Sequence, residues 1–597
     1  MQENDMASAI QWREWNEEAF VAARNEDKPV LLTLGATWCH WCHVMDQMAY
    51  ADPRVIELVN SRFIPVRVDV DQRPDISLRY NQGGYPSVAF LTGAGEFLAG
   101  RPYTPPDEMV ALLERVSQGE DVSATPARAE SSEAAATTTG DAPVERVLAR
   151  LAELYDERFG GFGLEPKQPP WESLRLLMAR SSLTGDRALL AMVETTLQGM
   201  WQGIYDNKDQ GFFRYSVSRD WKVPHYEKML VTNTSLAMVY LDAYLLTRKP
   251  DYRTAASGIL DYLLNTLFSP VDGLFFASQD ADEPFYQGAW KDRDAATAPP
   301  VDHTLYAGWN ALTALALIHA TEALGRAPYR RIATAILEKL WRESWTAEDG
   351  LCRVAGESGH STPILTDQVS FLRAWLALYQ STGNPYCLTR SMEVAATTQR
   401  LLGAPGGGCF DTAAPRYFEA ALLPREQPAL DNAHWAEALM VLSHLSDDDA
   451  YQRQAAATLQ IFESVIPGKS YLGDRQSRRM EEDEEALFLP AGSAWARARD
   501  MQDNGPVRLA LVGDSSTDAY RQLHRAAARV YAPHRVILPL DWQRNARHIR
   551  QQGFPSRAEP ALYVCMGERC LAPVATSAEV RDLVRSRPWT AIPDLQT

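Results

Sequence analysis

The chain has 597 residues, a formal net charge of −18 and a charged fraction of 23%. One hydrophobic core organises no more than about 250–300 residues, so we expect several domains. The acidic balance offers no basic footprint to nucleic acid or to anionic membrane surfaces, and both are excluded as expected partners.

The sequence also bears on the compartment. No apolar run approaches the roughly 20 residues of a membrane-spanning helix. The first ten residues, MQENDMASAI, lack a basic region followed by an apolar core and do not resemble a secretory signal. Seven cysteines are too few, and odd in number, for a disulfide scaffold. Together these features predict a cytoplasmic protein.

The first 116 residues alternate between strand-like and helix-like patterns. Strands are predicted at PVLLTLGA, FIPVRVDVD, PSVAFLT and GEFLAG; helices are predicted from the first cysteines onward, at DPRVIELVNSRF and at PPDEMVALLERVSQ. Residues 1–116 are therefore expected to form an α/β domain. Residues 117–143 are rich in Ser, Ala, Thr and Glu and contain no aromatic residue, which predicts a flexible linker.

A helical period runs through residues 144–503. Short breaks such as TGD, TRKP and STGNP separate paired helices, and longer segments rich in Gly and aromatic residues separate the pairs. Helices are predicted at 144–157, 171–183, 187–203, 229–247, 251–267, 305–324, 329–344, 365–381, 386–402, 430–446, 450–466 and 490–500. The pairing suggests six helical hairpins. Residues 504–597 return to α/β character and predict a small third lobe.

The stretch ATWCHWCHVM contains the most specific motif in the chain. Cys39 and Cys42 follow a strand and open a helix, whose N-terminus favours a thiolate. Cys39 would attack, Cys42 would resolve, and His40 and His43 would favour the thiolate if protonated. About forty residues later, Pro86 precedes another strand, where a thioredoxin-like fold has a cis proline beside the dithiol.

Three other interpretations of this motif remain open. C-x-x-C-H can attach haem, and two cysteines with a histidine can belong to a zinc site, with Cys565 and Cys570 as further ligands. The two thiols can also be inert parts of a docking module. We favour the redox interpretation, with no cofactor and no metal. Cys352, Cys387 and Cys409 are isolated and are expected to be buried, whereas Cys565 and Cys570 lie near a tight turn that would allow them to pair.

Several motifs resemble one known family. They are TWCHWCHVM with VRVDVDQRPDI, GGFGLEPKQP, FFRYSVSRDWKVPHYEKML, SQDAD, GWNALTALA and YVCMGERCLAPV. The chain resembles the spermatogenesis-associated, thioredoxin-domain-containing family along nearly its whole length. The resemblance implies a multidomain protein: an α/β thioredoxin-like domain, an all-α six-hairpin glycosidase-like domain closed as an (α/α)6 toroid, and a small α/β lobe. It implies no substrate.

The loops of the helical domain carry candidate ligand-binding residues. Carbohydrate sites combine aromatic platforms with paired carboxylates, and the toroid would bring such groups to one cavity. His225 or Glu227 would be the general acid–base. The candidates are Arg214, Tyr215, Trp221, His225, Glu227, Lys228, Asp280, Asp282, Trp309, Asn310 and Asp367.

The chain departs from the family pattern at some of these loops. The family usually reads YDHLGGGFHRYS, and this chain reads YDNKDQGFFRYS, so that Asn207 and Phe213 replace two histidines. An acidic pair common in the family is Asp367-Gln368 here. These changes weaken the case for hydrolysis and leave a binding pocket as the simpler expectation.

Three hypotheses of function follow from these patterns. The first is thiol–disulfide exchange at Cys39 and Cys42, with a toroid that binds a protein thiol or disulfide partner or a small molecule, such as a sugar. The second is a carbohydrate-binding or carbohydrate-processing protein of the epimerase or glycosidase type, with an accessory thioredoxin-like domain. The third is a non-catalytic scaffold.

Overall fold

The computed structural model describes residues 9–120, 143–288, 290–293, 296–357, 362–413, 425–463, 481–555, 559–567 and 569–586. Most of the predicted linker lies outside these ranges. No helix within them is long and apolar enough to cross a membrane.

The N-terminal domain is a four-stranded sheet flanked by helices, as predicted. β1 is central: it pairs in parallel with β2 and antiparallel with β3, and β3 pairs with β4 at the edge, giving the order β2-β1-β3-β4. The elements are α1 (Glu17–Glu26), β1 (Val30–Gly35), α2 (His40–Met48), α3 (Pro53–Arg62), β2 (Ile64–Asp69), α4 (Pro74–Tyr80), β3 (Ser87–Leu91), β4 (Phe97–Arg101) and α5 (Pro106–Ser117).

All twelve predicted helices are present in the second region. The largest difference is at the last, predicted from 490 and beginning at Glu481. The helices are α6 (Pro143–Leu154), α7 (Trp171–Thr184), α8 (Arg187–Gly203), α9 (Leu230–Thr247), α10 (Pro250–Tyr262), which a π-helical turn (Leu263–Leu267) continues, the short α11 (Glu283–Gln287) and α12 (Trp290–Arg293), α13 (Ala307–Leu324), α14 (Ala327–Glu343), α15 (Leu365–Thr382), α16 (Pro385–Leu402), α17 (Ala429–Ser446), α18 (Asp449–Phe462) and α19 (Glu481–Asn504).

The contacts between these helices close a ring. Helices α7, α9, α13, α15, α17 and α19 each pack against the next, and α19 packs back against α7. Helices α8, α10, α14, α16 and α18 each pack outside the inner helix that precedes them, while α6 packs against α19. The sixth hairpin thus joins the first and last helices of the region, and the (α/α)6 toroid is confirmed. Inner helices such as α9 and α13 are buried on nearly all sides, which explains their apolar sequences.

Short strands in the loops of the toroid pair locally. They are β5 (Tyr215–Ser216), β6 (Pro224–His225), β7 (Lys228–Met229), β8 (Phe268–Ser269), β9 (Leu274–Phe275), β10 (Ser278–Gln279), β11 (Val301–Asp302), β12 (Trp345–Thr346) and β13 (Gly350–Leu351).

Four inner helices share a clamp on these loops. The fourth residue of α9, α13, α15 and α17 carries a carboxamide that bonds the backbone N–H and C=O of the preceding loop. Each clamp satisfies backbone groups that would otherwise be buried without partners. The four residues are Asn233, Asn310, Gln368 and Asn432.

The C-terminal lobe has the same sheet order as the N-terminal domain. β14 is central, pairs in parallel with β15 and antiparallel with β16, and β17 is at the edge. The elements are β14 (Val507–Gly513), α20 (Asp518–Ala528), β15 (Val536–Asp541), α21 (Ala546–Gln551), β16 (Ala561–Met566), β17 (Arg569–Cys570) and α22 (Ser577–Ser586). The lobe packs on the carboxyl ends of the inner helices, where Gln380 Oε1 accepts from Ile537 N at 2.8 Å.

Candidate functional site

The dithiol lies at the start of α2. Cys39 is the N-cap, and its Sγ accepts from Cys42 N at 3.2 Å. The two cysteines form a disulfide, and Cys39 is only 4% exposed. Gly35, at the end of β1, leaves room for Cys42, because a Cβ on Gly35 would lie 3.4 Å from the Cys42 Sγ. The disulfide thus has one cysteine at the helix start and the other one turn inside the helix.

The predicted cis proline is present in the same region. The Tyr85–Pro86 peptide bond is cis, and the next residue, Ser87, pairs with Leu34 on the central strand. The Tyr85 ring lies 6.1 Å from the ring of Trp38, the residue before Cys39. The end of β1, the C-x-x-C segment, the start of α2 and the cis proline before β3 therefore meet at one edge of the N-terminal domain.

Trp38 connects this edge to the toroid. Its indole Nε1 donates to Asp71 Oδ2 at 2.6 Å, and the guanidinium carbon of Arg214 lies 4.0 Å from its ring centroid. Arg353 Nε donates to the Asp71 carbonyl oxygen at 2.7 Å. The buried cluster that contains Cys39 also includes Met229 of the toroid. The dithiol edge therefore packs against the loops that precede the inner helices.

The two histidines of the motif differ in their surroundings. His43 Nε2 lies 2.8 Å from the Thr37 carbonyl oxygen and 4.0 Å from Asp280 Oδ2 of the toroid. His40 is exposed, with its ring against that of Trp41. Burial raises the pKa of Asp280, a shift that the positive charge of His43 opposes. Asp280 and Arg214 are thus the predicted pocket residues that lie against the motif segment.

His225 and Glu227 form a pair on the toroid side. His225 Nδ1 lies 2.9 Å from Glu227 Oε2, and the ring of Tyr215 stacks on that of His225 at 4.7 Å. Burial acts to raise the pKa of Glu227, but the hydrogen bond from His225, its charge and that of Arg214 outweigh burial and lower it. The Glu227 side chain is 1% exposed, whereas that of His225 is 27% exposed. The imidazole is thus the accessible member of the pair.

Four of the predicted pocket residues bond to other groups of the protein. Trp221 is fully buried and donates to the Phe159 carbonyl oxygen, and Lys228 is fully buried with Nζ on Asp206 and Gln210. Asn310 is one of the four clamps, and Asp282 caps α11 by accepting from Phe285 N. Their polar groups serve the protein itself. The residue types suggested a pocket because a sequence does not show which way a side chain points.

Asp367 and Trp309 lie beside a charged residue that the sequence did not single out. Arg353 Nη1 donates to Asp367 Oδ1 at 2.6 Å, and the Arg353 guanidinium carbon is 5.5 Å from the Trp309 ring centroid. Burial raises the pKa of Asp367 to about 6, although Arg353 opposes the shift. Burial also raises the pKa of the nearby Asp431 to about 7. The only sequence signal for Asp431 is its place before the clamp residue, as at Asp367.

Carboxylates of the N-terminal domain and of the toroid lie close together where the two domains meet. Burial raises the pKa of Asp69, at the end of β2, to about 6, and the charges of Asp71 and Asp302 add to the shift. Asp302 belongs to the toroid, and Tyr306 of the toroid lies with its hydroxyl 3.5 Å from Asp69 Oδ1. These aspartates belong to the DVD of VRVDVDQRPDI, whose alternation predicts a strand but not a contact with the toroid.

The structure locates the other five cysteines and the two positions at which this chain departs from the family pattern. Cys565 and Cys570 form a disulfide across β16 and β17, and the other three cysteines are buried, as expected. Phe213 packs between the rings of Tyr226 and Tyr286, each 5.0 Å away. An aromatic packing site thus occupies the position of one family histidine, and Asn207, at the other, is exposed.

Comparisons with known proteins cover parts of this architecture. A family model described as "Protein of unknown function, DUF255" (Thioredox_DsbH) matches residues 2–134. Spermatogenesis-associated protein 20 of Mus musculus is 32% identical over 313 residues, which are 47% of this chain and 40% of that protein. Uncharacterized protein B0495.5 of Caenorhabditis elegans is 32% identical over 304 residues, 46% of this chain and 41% of that protein. The matches thus span well under two thirds of these relatives.

Solved structures resemble the separate folds. Cellobiose 2-epimerase from Bacillus thermoamylovorans covers 60% of this chain and 98% of its own at 10% identity, with a TM-score of 0.45. A thioredoxin from Thermus thermophilus covers 18% of this chain and 87% of its own at 26% identity, with a TM-score of 0.17. TM-scores this low do not bear on activity. The motifs, the domain match and the relatives show that this chain is similar to the spermatogenesis-associated, thioredoxin-domain-containing family over part of its length.

Proposed function

We propose that the protein catalyses thiol–disulfide exchange at Cys39 and Cys42. The Cys39 thiolate attacks a substrate disulfide, forms a mixed disulfide and releases one substrate thiolate. Cys42 then attacks Cys39 Sγ, releases the second substrate thiolate and leaves the Cys39–Cys42 disulfide. A thiol reductant, either a low-molecular-weight dithiol or a thiol protein, returns the pair to the reduced form.

One observation carries this proposal: Cys39 caps the start of α2 while Cys42 lies one turn inside, with Tyr85–Pro86 at the same edge. The free N–H groups at a helix start stabilise a thiolate at the capping position. The cysteine one turn inside is within bonding distance of the first, as resolution of a mixed disulfide requires. A lone thiol would not serve this sequence of steps.

The toroid supports a substrate-holding role beside the dithiol. Arg214, His225 and Asp280 lie on its loops, and Asp280 is 4.0 Å from His43 of the motif. Because Arg214 and Arg353 engage Trp38 and Asp71 from the toroid, part of the dithiol edge is already occupied. A substrate would therefore reach Cys39 at the junction of the two domains and contact both. It would be a protein thiol or disulfide segment or a small molecule.

The first test is thiol trapping with intact-mass readout across a glutathione or dithiothreitol redox series. We expect Cys39 and Cys42 to interconvert as a pair with a midpoint in the roughly −270 to −120 mV range of known oxidoreductases. A Cys42→Ser variant should accumulate a mixed disulfide with glutathione at Cys39. A Cys39→Ser variant that retains full reductase activity would rule the proposal out. Thiols that stay reduced throughout would favour the scaffold hypothesis instead.

Carbohydrate chemistry is a second candidate, supported by the His225–Glu227 pair. A half-exposed imidazole oriented by a buried carboxylate is a suitable general acid–base. His225 would then transfer the proton, and Glu227 would position it. Incubating the protein with cellobiose, mannose and mannan oligosaccharides tests this candidate. His225→Gln should abolish any turnover, whereas turnover that survives both His225→Gln and Glu227→Gln would exclude this pair as its source.

A further inference from the structure

A basic groove lies at the end of the toroid opposite the dithiol. It has a volume of about 800 Å³ and runs between the carboxyl ends of α9 and α13 and the helices α20 and α22 of the C-terminal lobe. Five arginines line it, and none of its lining residues within the described ranges is Asp or Glu. They are Arg248, Arg253, Arg525, Arg529 and Arg581. In a chain with a net charge of −18, such a local excess of positive charge needs an explanation.

Two of these arginines are partly accounted for by the fold. Arg248 Nη2 donates to the Arg529 carbonyl oxygen at 2.6 Å, so it ties α9 to the lobe. The Arg529 guanidinium lies where a side chain on Gly325 would be, at the carboxyl end of α13. Cations are favoured at the carboxyl end of a helix because the helix dipole is negative there. Packing and the dipole therefore explain Arg248 and Arg529.

The other three arginines have no such role. Arg253 on α10, Arg525 on α20 and Arg581 on α22 are exposed and form no hydrogen bond or ion pair with any residue in the described part of the chain. They come from three separate helices and face one groove. Like charges held together repel one another, and an anion between them would remove that repulsion.

Four acidic residues near the groove are engaged with other groups. Glu322 pairs with Arg535 at 2.7 Å, and Glu194 pairs with Lys249 at 2.7 Å. Asp518 pairs with Arg521, and Glu579 accepts from the backbone N–H groups that precede α22. None of the four bonds to Arg253, Arg525 or Arg581, although the charge of Arg525 contributes to lowering the pKa of Asp518.

The other lining residues indicate that the ligand would carry an apolar organic part besides its anionic groups. Aromatic and aliphatic side chains lie between the arginines: Tyr244, Leu245, Leu246, Leu324, Tyr531 and Val580. The volume falls within the roughly 300–1,000 Å³ of small-molecule pockets. Guanidinium groups bind phosphate oxygens two at a time, and several converging arginines suit more than one phosphate.

We propose that this groove binds a small organic anion that carries two or more phosphate groups, with Arg253, Arg525 and Arg581 as its principal contacts. The phosphates would lie between the three helices and the organic body against the apolar lining. The ligand would bridge the toroid and the C-terminal lobe, because Arg253 belongs to the first and the other two arginines to the second. The dithiol takes no part in this site, so the proposal does not depend on exchange activity.

Isothermal titration calorimetry of the full chain tests this proposal with ADP, pyrophosphate, inorganic phosphate and citrate. We expect ADP to bind at least as tightly as pyrophosphate, and inorganic phosphate at least tenfold more weakly. Arg525→Gln with Arg581→Gln should weaken ADP binding at least tenfold, since each lost charged hydrogen bond is worth about one power of ten. The matched control, Arg115→Gln with Arg150→Gln, removes two exposed arginines elsewhere and should change the affinity less than twofold.

The thermal midpoint of the groove variant without ligand should equal or exceed that of the wild type, because charge repulsion falls. If that variant does not fold, Arg253→Gln alone should still weaken ADP binding. Absence of binding by both ADP and pyrophosphate, or equal weakening by the control pair, would overturn the site. Citrate binding more tightly than both diphosphates would overturn the assignment to phosphate. If pyrophosphate bound and ADP did not, the phosphate site would stand but the proposed organic part of the ligand would be ruled out.

Discussion

The N-terminal domain and the C-terminal lobe share one topology but not one chemistry. In both, the central strand ends at a glycine whose carbonyl accepts from the segment after the parallel strand: Val70 N bonds Gly35, and Trp542 N bonds Gly513. After Gly35 the chain continues into Cys39 and Cys42, whereas after Gly513 it continues through DSST. The sheet therefore supplies the frame, and the loop after its central strand decides whether the frame carries a dithiol.

The N-terminal domain and the C-terminal lobe, here called the two copies because they share one strand order, contact opposite ends of the toroid. The N-terminal domain packs its motif edge on the loops that precede the inner helices, and the lobe packs its β15 side on their carboxyl ends. The residue before the third strand is Pro86 in a cis peptide in the first copy and Pro560 in a trans peptide in the second. Each copy has a disulfide, but Cys565–Cys570 joins the edge strand β17 to its neighbour β16 rather than lying at a helix start. The same fold thus carries a candidate dithiol site at one end of the toroid and lines the proposed anion groove at the other.

Substituting the cysteines of one domain at a time should separate the roles of the N-terminal domain and the C-terminal lobe most clearly. Cys39→Ser should lower disulfide reductase activity at least 100-fold, because the attacking thiolate is lost. The double variant Cys565→Ser/Cys570→Ser should keep activity within twofold, since that pair joins β16 and β17 of the lobe at the opposite end of the toroid. An insulin-reduction assay with both proteins checks this. Equal losses in the two variants would show that the lobe takes part in exchange.

Breaking the ion pair that holds each copy to the toroid should have the next largest effect. Arg79 pairs with Asp411 at 2.8 Å with both side chains 7% exposed, and Arg535 pairs with Glu322 at 2.7 Å. Removing one partner of a buried pair typically costs about 3 kcal/mol or more. Arg79→Met should lower the local stability of β1 and β3 by about 3 kcal/mol, and Arg535→Met should affect β14 and β15 instead. Hydrogen exchange with mass spectrometry resolves the two regions.

The exposed pair of Arg54 with Asp107 gives the matched control. It also joins groups distant in sequence, but the two side chains are 57% and 89% exposed. Exposed pairs are worth about 0–1 kcal/mol, so Arg54→Met should leave both regions within about 1 kcal/mol of the wild type. Protection lost equally from both copies in either buried-pair variant would mean that the toroid and its two flanking domains open together.

The sequence predicted the four strands and three of the five helices of the N-terminal domain, and most of the helix ends of the toroid. Those features depend on local periodicity and on Gly and Pro breaks, as at Gly185, Gly325 and Gly383, which all cap inner helices with positive φ. Strand order did not follow, because β14 pairs with β16 across about fifty residues and the loop after β14 lacks the C-x-x-C signal. The lobe was therefore predicted only as a small α/β unit.

The candidate site was predictable only where one short segment contained it. The dithiol and Pro86 belong to segments with strong local patterns. The junction with the toroid depends on Arg353 reaching Asp71 and Arg79 reaching Asp411, which are 282 and 332 residues apart in the chain. No periodicity in the sequence indicates such contacts. For the same reason, Lys228 and Trp221 suggested a pocket although their side chains point into the scaffold.

Equivalent aspartates in the two copies should give opposite effects of pH. Asp69 and Asp541 end their parallel strands and each accept two backbone N–H bonds from the next turn. Burial and the charge of Asp71 raise the pKa of Asp69 to about 6. For Asp541, burial acts to raise the pKa, but hydrogen bonds from Ser515, Arg544 and Gln543 outweigh it and lower the pKa.

The signs follow from proton binding. A carboxyl whose pKa is raised on folding loses stability as the pH rises from about 4 to about 6, whereas one whose pKa is lowered contributes stability above about 4 that is lost as the pH falls. Asp69→Asn should therefore stabilise the protein by about 2 kcal/mol at pH 7 and not at pH 4. Asp541→Asn should destabilise it by about 1–3 kcal/mol at pH 7. Urea unfolding at pH 4 and pH 7 measures the free energy of unfolding of both variants. Effects of the same sign at pH 7 would contradict the predicted contrast between Asp69 and Asp541.

The smallest expected effect concerns the charge beside the dithiol, which the lobe lacks. His43 lies one helical turn after Cys39, and its N–H bonds the Cys39 carbonyl oxygen at 3.2 Å. Positive charge near a cysteine favours its thiolate. Because the His43 side chain is 44% exposed, solvent and salt screen this effect. His43→Gln should therefore lower the alkylation rate of reduced Cys39 by about two- to fourfold at low salt, and by less in 1 M salt. His548→Gln, in the lobe, is the control and should change nothing. A loss that is as large in 1 M salt as at low salt would assign His43 a packing role, and the contrast between the two copies would then rest on the cysteines alone.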